Sequence, residues 1–215
     1  MEINKDLIKI IAEQVVAQIE KNGVSEPTNV SKAGIDGIFE DVNAAVDAAF
    51  QAQKELESIS LEKRGEMISA IRKIARENVE MLASMELKET GMGNYEHKIA
   101  KHFMIIDLTP GIEDILPEVF TGDNGLTLIE RRPFGVGGCI VPSTAPSVTV
   151  IHNSICMIAS GNSAVISPHP GGKNTSLKVV ELINQAIKEV GGPENVITTF
   201  REASIKNAEV LMKHP

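Results

Sequence analysis

The sequence predicts an α/β protein with a parallel, doubly wound sheet, and three observations support this fold class. After Gly122, short apolar runs alternate with helical patterns in the order β-loop-α-β-loop-α-β. Strands separated by helices of this length are joined by right-handed crossovers and therefore run parallel. Before Gly122 the periodicity is helical almost throughout, which places a helical region ahead of the sheet.

The first 22 residues carry the pattern of an amphipathic helix. Apolar side chains recur at every fourth position, at Ile3, Leu7, Ile11, Val15 and Ile19. Residues 23–37 are polar and rich in turn formers, which indicates a linker. The pattern alone leaves two interpretations open: a first helix of the core, or a docking helix that lays its apolar face on a partner.

Three further helices are predicted ahead of the sheet. They cover residues 41–56, 60–87 and 95–108. Ser60 is the expected N-cap of the second helix, and Gly91 follows its end. Glu86 and Glu89 lie close to that end, and we expect both carboxylates to be solvated rather than catalytic.

Four strands and two helices are predicted after Gly122. The strands span residues 126–130, 135–141, 164–167 and 196–200, and the helices span residues 148–160 and 177–190. This order corresponds to half of a Rossmann-like nucleotide-binding sheet, in which ligands bind beyond the carboxyl ends of the strands. Two loops lie at such ends, residues 142–146 and 167–173.

The two loops contain the candidate cofactor contacts. Prolines fix φ and remove amide donors in both loops, which makes them rigid. His169 has two open interpretations: a solvated imidazole in a rigid turn, or a cofactor contact. In the second, Lys173 and the amides at the start of the next helix would favour a phosphate. The hydroxyls of the first loop could line the same site or only cap a helix. The predicted cofactor-binding residues are Val141, Pro142, Ser143, Thr144, Ser167, Pro168, His169, Pro170 and Lys173.

Two common nucleotide-binding motifs do not fit this sequence. Residues 135–138 are rich in glycine, but they lie before and within a strand rather than in a strand-to-helix turn, so they are not a GxGxxG fingerprint. The GxxxxGK[ST] pattern fails near the second loop. Ser167 stands where it requires Gly, and Asn174 stands where it requires Ser or Thr.

Composition excludes several classes of function. The chain has 21 Lys and Arg against 29 Asp and Glu, a net charge of −8, without a dense basic patch, which excludes nucleic acid as a partner. It contains no Trp for base stacking. No apolar stretch is long enough to span a bilayer and no secretion signal is recognisable, so we expect a cytoplasmic protein without a membrane partner.

The two cysteines are predicted to be structural. Cys139 falls within a strand and Cys156 within an apolar helix, and two cysteines are too few for a disulfide framework. Neither belongs to a cluster with the spacing of metal ligands, so no metal site is predicted. Both thiols are therefore expected to be buried and unreactive.

Seven motifs spread along the chain are informative together. They are ETGMG at 89–93, TPG at 109–111, TGDNGLTLIE at 121–130, PST at 142–144, ASGNS at 159–163, SPHP at 167–170 and GGPEN at 191–195. They closely resemble the aldehyde dehydrogenase superfamily, and within it the CoA-acylating branch of bacterial microcompartments. The resemblance implies that a cysteine attacks a short-chain aldehyde, that hydride passes to NAD, and that CoA rather than water takes the acyl group.

The resemblance also assigns roles to single positions. Thr144 stands where the hydrolytic branch carries an Asn that helps to hold the oxyanion. Ser167 and Pro170 replace a Lys on the adenosine ribose and its acidic partner in that branch, which favours the CoA-acylating assignment. Ala145 departs from the Asn that the CoA-acylating branch commonly has.

The resemblance further implies that part of the machinery lies outside these residues. The family's catalytic cysteine and general-base glutamate follow downstream, so residues 38–215 are expected to form the N-terminal part of an NAD- and CoA-binding domain that is inactive alone. Residues 1–22 resemble a helix that docks on a shell protein, which implies a place in a microcompartment lumen. Residues 122–136 resemble an intersubunit element and imply a homo-oligomer. Two alternatives stay open: a non-catalytic assembly or binding module, and a hydrolytic aldehyde dehydrogenase.

Overall fold

The computed structural model describes Gly34 and residues 36–215. The predicted docking helix, residues 1–22, and most of the predicted linker lie outside the described residues. The first described strand and the helices after it are β1 (Ile38–Phe39), α1 (Val42–Glu57), α2 (Leu61–Glu77), α3 (Val79–Thr90) and α4 (Tyr95–Leu108). The three predicted helices thus correspond to four observed ones, and β1 was not predicted.

Side chains at the helix starts explain where these helices begin. Asp41, Ser60 and Asn94 precede α1, α2 and α4, and the side chain of each accepts a hydrogen bond from a first-turn amide at 3.0, 3.2 and 2.9 Å. Asn78 divides the second predicted helix into α2 and α3. Its side-chain amide donates to the carbonyl of Ile74 (2.8 Å) and competes with the helical ladder.

An antiparallel hairpin follows α4. Its strands are β2 (Glu118–Gly122) and β3 (Gly125–Ile129), which a two-residue turn connects. Gly125 has φ of +137°, a backbone conformation that favours glycine. β3 agrees with the predicted strand 126–130, whereas β2 was not predicted. Every residue of both strands is exposed.

The main sheet follows the hairpin in sequence. Its remaining strands and helices are β4 (Val136–Ile140), α5 (Pro146–Ala159), β5 (Ser163–Ser167), α6 (Lys173–Glu189), β6 (Ile197–Phe200) and α7 (Ile205–Met212). The strand order is β1-β6-β5-β4 and all neighbouring strands run parallel, which confirms the predicted alternation. α5 and α6 begin earlier than predicted. Proline suits the first position of α5, and a 3-10 turn (Pro170–Gly172) leads directly into α6. α7 was not predicted.

Helices cover both faces of the sheet, as the doubly wound prediction requires. Along β5, Ala164 and Ile166 belong to the larger apolar core with α5 and α6, whereas Val165 belongs to a second core with α1 and α7. This alternation is that of a strand with side chains on opposite faces. Helices α2, α3 and α4 pack on α5 and α6 as an outer layer. No helix within the described residues is long and apolar enough to cross a membrane.

Candidate cofactor-binding site

The two predicted loops lie side by side at the carboxyl edge of the sheet. Ile140 ends β4 and pairs with Ser167, which ends β5. The Val141 amide donates to the Ser167 carbonyl (3.0 Å) and extends the pairing by one residue. The loops also approach each other further out, because a Cβ on Gly171 would lie 3.7 Å from Cβ of Ser143. Both loops therefore open where sheets of this type bind ligands.

The starts of α5 and α6 are in direct contact. A Cβ on Gly172 would lie 2.9 Å from Cβ and from Cγ of Pro146, which is closer than such carbons approach each other. Glycine at position 172 therefore allows the two first turns to meet. Because each loop ends in one of these turns, the contact also fixes the distance between the loop ends.

The predicted contact residues divide into exposed and buried groups. The exposed ones are Pro142, Thr144, His169 and Pro170, the partly buried ones are Ser143 and Lys173, and the buried ones are Val141, Ser167 and Pro168. The structure thus brings all of them to one edge of the sheet. Only the first two groups present side chains to solvent, whereas the third packs beneath the loops.

His169 combines features of both of its interpretations. Its Nδ1 accepts a hydrogen bond from the Gly171 amide (3.0 Å), and its carbonyl accepts one from the Gly172 amide (3.0 Å), so the imidazole stabilises the 3-10 turn. Because Nδ1 is an acceptor, the proton of the neutral ring lies on Nε2. The exposed ring therefore supplies a rigidly held N–H donor at the loop edge.

The start of α6 is already occupied by a carboxylate of the protein. Glu89, near the end of α3, accepts hydrogen bonds from the amides of Asn174 and Thr175, both at 2.7 Å, and from the Thr175 hydroxyl at 2.6 Å. These are amides that the sequence suggests for a phosphate, so that part of the hypothesis is corrected. A phosphate at this end of the helix could not use these two amides.

A buried polar cluster that the sequence did not predict lies beneath the start of α5. Oε1 of Glu86 forms an ion pair with Nζ of Lys98 (2.5 Å). Oε2 of Glu86 accepts hydrogen bonds from the Ser147 hydroxyl and from the Ser147 amide, and the distance to the amide is 3.3 Å. The Ser147 hydroxyl also contacts Nε2 of His102 (2.8 Å), whose Nδ1 donates to the Lys98 carbonyl (2.7 Å). Glu86 is 0% exposed, so the expectation that it is solvated is wrong. Its charge is tolerated because it is paired and hydrogen-bonded.

Burial also affects the histidine of this cluster. It lowers the pKa of His102, because desolvation of the imidazolium outweighs the carbonyl bond and the nearby Glu86 charge, which both favour protonation. One sequence signal could have revealed the cluster. Glu86 stands seven positions after Val79 and four after Leu82, on the same inward stripe of α3. A carboxylate on an apolar stripe indicates a buried partner, although only the fold shows which partner.

Neither cysteine has the lowered thiol pKa of an activated nucleophile. Cys139 is buried, as predicted, and burial raises the pKa of its thiol to about 11. Cys156 is only half-buried, which differs from the prediction, and its Sγ lies 3.8 Å from Nε2 of His152. Its pKa is also raised, first by burial and then by the charge of Asp114. Within the described residues, no group of three His, Cys, Asp or Glu side chains could hold a metal ion.

A parallel sheet with helices on both faces and two adjacent loops at its carboxyl edge places the described residues in the doubly wound α/β class, whose members bind ligands at that edge. Comparison with known families narrows this class. The chain belongs to the aldehyde dehydrogenase family, whose family model matches residues 28–215. The resemblance indicated by the seven motifs is thereby confirmed.

Three similar proteins specify the branch. Acetaldehyde dehydrogenase (acetylating) EutE of Escherichia coli strain K12 is 42% identical over 203 residues, which cover 94% of this chain and 43% of that protein. The structure of an engineered glycolyl-CoA reductase with bound NADP+ has 45% identity and a TM-score of 0.82, covering 86% of this chain and 42% of its own. The structure of a propionaldehyde dehydrogenase from the Clostridium phytofermentans fucose utilisation bacterial microcompartment has 46% identity and a TM-score of 0.80. The match covers 83% of this chain and 41% of that one. The chain thus spans less than half the length of these relatives.

Proposed function

We propose that this chain is the N-terminal, cofactor-binding part of a CoA-acylating aldehyde dehydrogenase that converts a short-chain aldehyde, CoA and NAD into acyl-CoA and NADH. The pair of proline-framed loops at the carboxyl edge of the sheet carries the proposal. Ser167 and Pro170 lack the charged side chains of a hydrolytic enzyme at these positions, which supports the CoA-acylating reaction. The acetylating and CoA-dependent relatives support it as well.

The groups that the loop edge presents to solvent suit a dinucleotide. The Thr144 hydroxyl, the Nε2–H of His169 and the ammonium group of Lys173 match the hydroxyl and phosphate oxygens of NAD and CoA. When bound, NAD accepts the hydride and CoA accepts the acyl group. The residues of this chain hold and orient these molecules, and Thr144 donates its hydroxyl on the side of the oxyanion.

The nucleophile of the proposed reaction comes from outside this chain. A cysteine attacks as the thiolate, and the raised pKa values of Cys139 and Cys156 keep both thiols protonated near neutral pH. We therefore expect the 215-residue chain to bind NADH but not to turn over aldehyde. NADH emission is a clean probe of binding, because the chain contains no Trp.

Two measurements test these statements. Titration of the chain into NADH should raise and saturate the emission, and the absence of any saturable change would contradict the proposed binding site. An assay with propionaldehyde, NAD and CoA should give no steady NADH production, and clear turnover would contradict the assignment of the nucleophile. In a longer form that contains the nucleophile, acyl-CoA is the expected product, whereas free acid would support the hydrolytic alternative.

Two interaction surfaces complete the proposal. Residues 1–22, for which the sequence predicts an amphipathic helix, dock on a shell protein and place the enzyme in a microcompartment lumen, which the microcompartment origin of one relative supports. Residues 122–136 and the exposed hairpin contribute to a homo-oligomer. Deletion of residues 1–22 should abolish co-purification with shell proteins while NADH binding persists. Shell association that survives the deletion would disprove the docking role.

A further inference from the structure

The helices that follow the two candidate cofactor loops do not supply their own side-chain caps. Ala145 precedes α5 and Gly172 precedes α6, and neither residue has a side chain that can accept a hydrogen bond from an amide. By contrast, Asp41, Ser60 and Asn94 cap the helices that they precede. The amides at the start of α5 and α6 therefore need acceptors from elsewhere in the fold.

Helix α3 supplies these acceptors. Glu86 accepts from the amide and hydroxyl of Ser147 in the first turn of α5. Glu89 accepts from the amides of Asn174 and Thr175 in the first turn of α6. Residues three positions apart lie on the same side of a helix. One face of α3 therefore holds the first turns of both helices through two carboxylates, each favoured by the partial positive charge of the helix start.

The two carboxylates are held to different degrees. Glu86 is 0% exposed and is neutralised by Lys98, which reaches it from α4. Glu89 is only partly buried, and all of its side-chain hydrogen bonds in the described residues go to the start of α6. Glu86 is thus part of the packed interior, whereas Glu89 can be altered with less effect on the fold.

These contacts fix the far ends of both loops. Each loop begins at a strand, where β4 and β5 are paired up to Ile140 and Ser167. Each loop ends at a first turn that a carboxylate of α3 holds. With both ends fixed, the spacing of the two loops is set before any ligand binds, and a site held in this way binds its ligand without first being ordered.

We propose that Glu86 and Glu89 are positioning residues, and that α3 acts through the starts of α5 and α6 to set the geometry of the two loops for the cofactor. In the structure these loops run from the end of each strand to the start of the next helix, at residues 141–145 and 168–172. The part of this inference that concerns the cofactor rests on the proposed function. The part that concerns loop geometry stands independently of it. Neither carboxylate is proposed to touch the cofactor.

The first test follows loop geometry without any ligand. In the 215-residue chain, Glu89→Gln should accelerate hydrogen exchange, measured by NMR, at the amides of Asn174 and Thr175 by about tenfold. The proposal further requires faster exchange at Gly171 and Gly172, whose amides are hydrogen-bonded to His169 within the loop. Acceleration confined to the first turn of α6 would show that Glu89 acts only as a local cap and would overturn its positioning role.

The second test follows the cofactor. At a temperature well below unfolding, Glu89→Gln should weaken NADH binding by about tenfold. Glu80→Gln is the matched control, because it removes the same charge from an exposed position of the same helix, and it should leave the affinity unchanged. Equal NADH affinity of wild type and Glu89→Gln would overturn the proposal. If the wild type does not bind NADH, the proposed function is at fault, and the exchange experiment still decides the positioning role.

The positioning role of Glu86 needs a different variant, because removing this carboxylate alone leaves Lys98 buried without a partner. The double substitution Glu86→Gln with Lys98→Met removes the ion pair while nearly conserving volume. It should accelerate exchange at the Thr149 amide, which donates to the Ala145 carbonyl at the end of this loop (3.2 Å), and weaken NADH binding by several-fold. A folded double variant with unchanged exchange at this amide would restrict the positioning role to Glu89 and overturn the paired arrangement.

Discussion

Strand β5 and the hairpin strands β2 and β3 have the same length, but they differ in burial. All five residues of β5 are buried, including two serines, whereas all ten residues of the two hairpin strands are exposed, including Phe120 at 57% and Leu126 at 68%. The buried strand thus contains polar side chains, and the exposed hairpin contains large apolar ones. Apolar content alone therefore does not identify which strands are buried. The cross-strand pair Val119 and Leu128 is also exposed and lies on the same face of the hairpin as Leu126, whereas Phe120 lies on the other face. Exposed apolar surface of this kind is typical of an interaction site.

The largest expected effect comes from removing a buried polar side chain. Glu86→Ala should lower the free energy of unfolding by about 3–5 kcal/mol, because it leaves the buried Lys98 without its counter-charge. Urea unfolding of the 215-residue chain measures the change, with Glu80→Ala as the exposed control from the same helix. A loss of less than about 1 kcal/mol would mean that the buried ion pair contributes little to stability.

The apolar side of the comparison is tested by truncating one leucine in the core cluster that β5 shares with α3 and one leucine in the hairpin. Leu82→Ala in α3 should cost about 2–5 kcal/mol, because the side chain is 1% exposed and its removal leaves a cavity. Leu126→Ala in the hairpin should change stability by less than about 0.5 kcal/mol, because its side chain already contacts solvent. Thermal unfolding of both variants provides the measurement. Similar losses would show that the hairpin is packed in solution.

The pH dependence of stability tests the contribution of His102 in the buried polar cluster. The folded state lowers the pKa of His102. As the pH falls below about 6.5, the unfolded chain therefore binds a proton at this imidazole that the folded chain does not bind. Stability should therefore decrease by up to about 1.4 kcal/mol per pH unit until the lower pKa of the folded state is reached. His102→Gln should flatten this decrease in urea unfolding at several pH values. His97→Gln, at an exposed position of the same helix, should not; identical slopes for both would exclude His102 as the group responsible.

The smallest effect on stability should come from charge on the hairpin, which tests its role as an interface. Phe120→Asp should leave the free energy of unfolding within about 0.5 kcal/mol, because the side chain is exposed. It should nevertheless reduce self-association, because a carboxylate buried in a contact between subunits is costly. Sedimentation velocity at increasing concentration measures this. An unchanged association state of an associating wild type would argue against the hairpin as the interface.

Much of the main sheet could be predicted from the sequence, because each element has a local signal. The runs at 164–167 and 196–200 are short, apolar and separated by a periodic helix, and they form β5 and β6. β1 has only two residues, and its pairing with Thr199 and Phe200 depends on a segment far along the chain. β2 was missed for a similar reason, since its pairing with β3 rather than burial defines it.

The candidate site was predictable at the level of loops but not at the level of their supports. The loops are marked by prolines and follow strand signals, so their position at the sheet edge could be derived. Glu89 and Thr175 are separated by 86 positions, and no local pattern connects them. The burial of Glu86 likewise depends on Lys98 and Ser147, which come from two other helices. Long-range polar contacts of this kind become visible only once the chain is folded.

The state of the two cysteines has a practical consequence for chemical labelling. Cys139 is 7% exposed with a thiol pKa of about 11, and burial also raises the pKa of Cys156. Electrophiles such as iodoacetamide react with thiolates, so both residues are expected to react slowly, and the buried Cys139 more slowly than the half-buried Cys156. In a longer form of the protein, an alkylation event faster than these two in a mass spectrum would therefore report on a cysteine elsewhere. An introduced surface cysteine should likewise take up a fluorophore before the native ones.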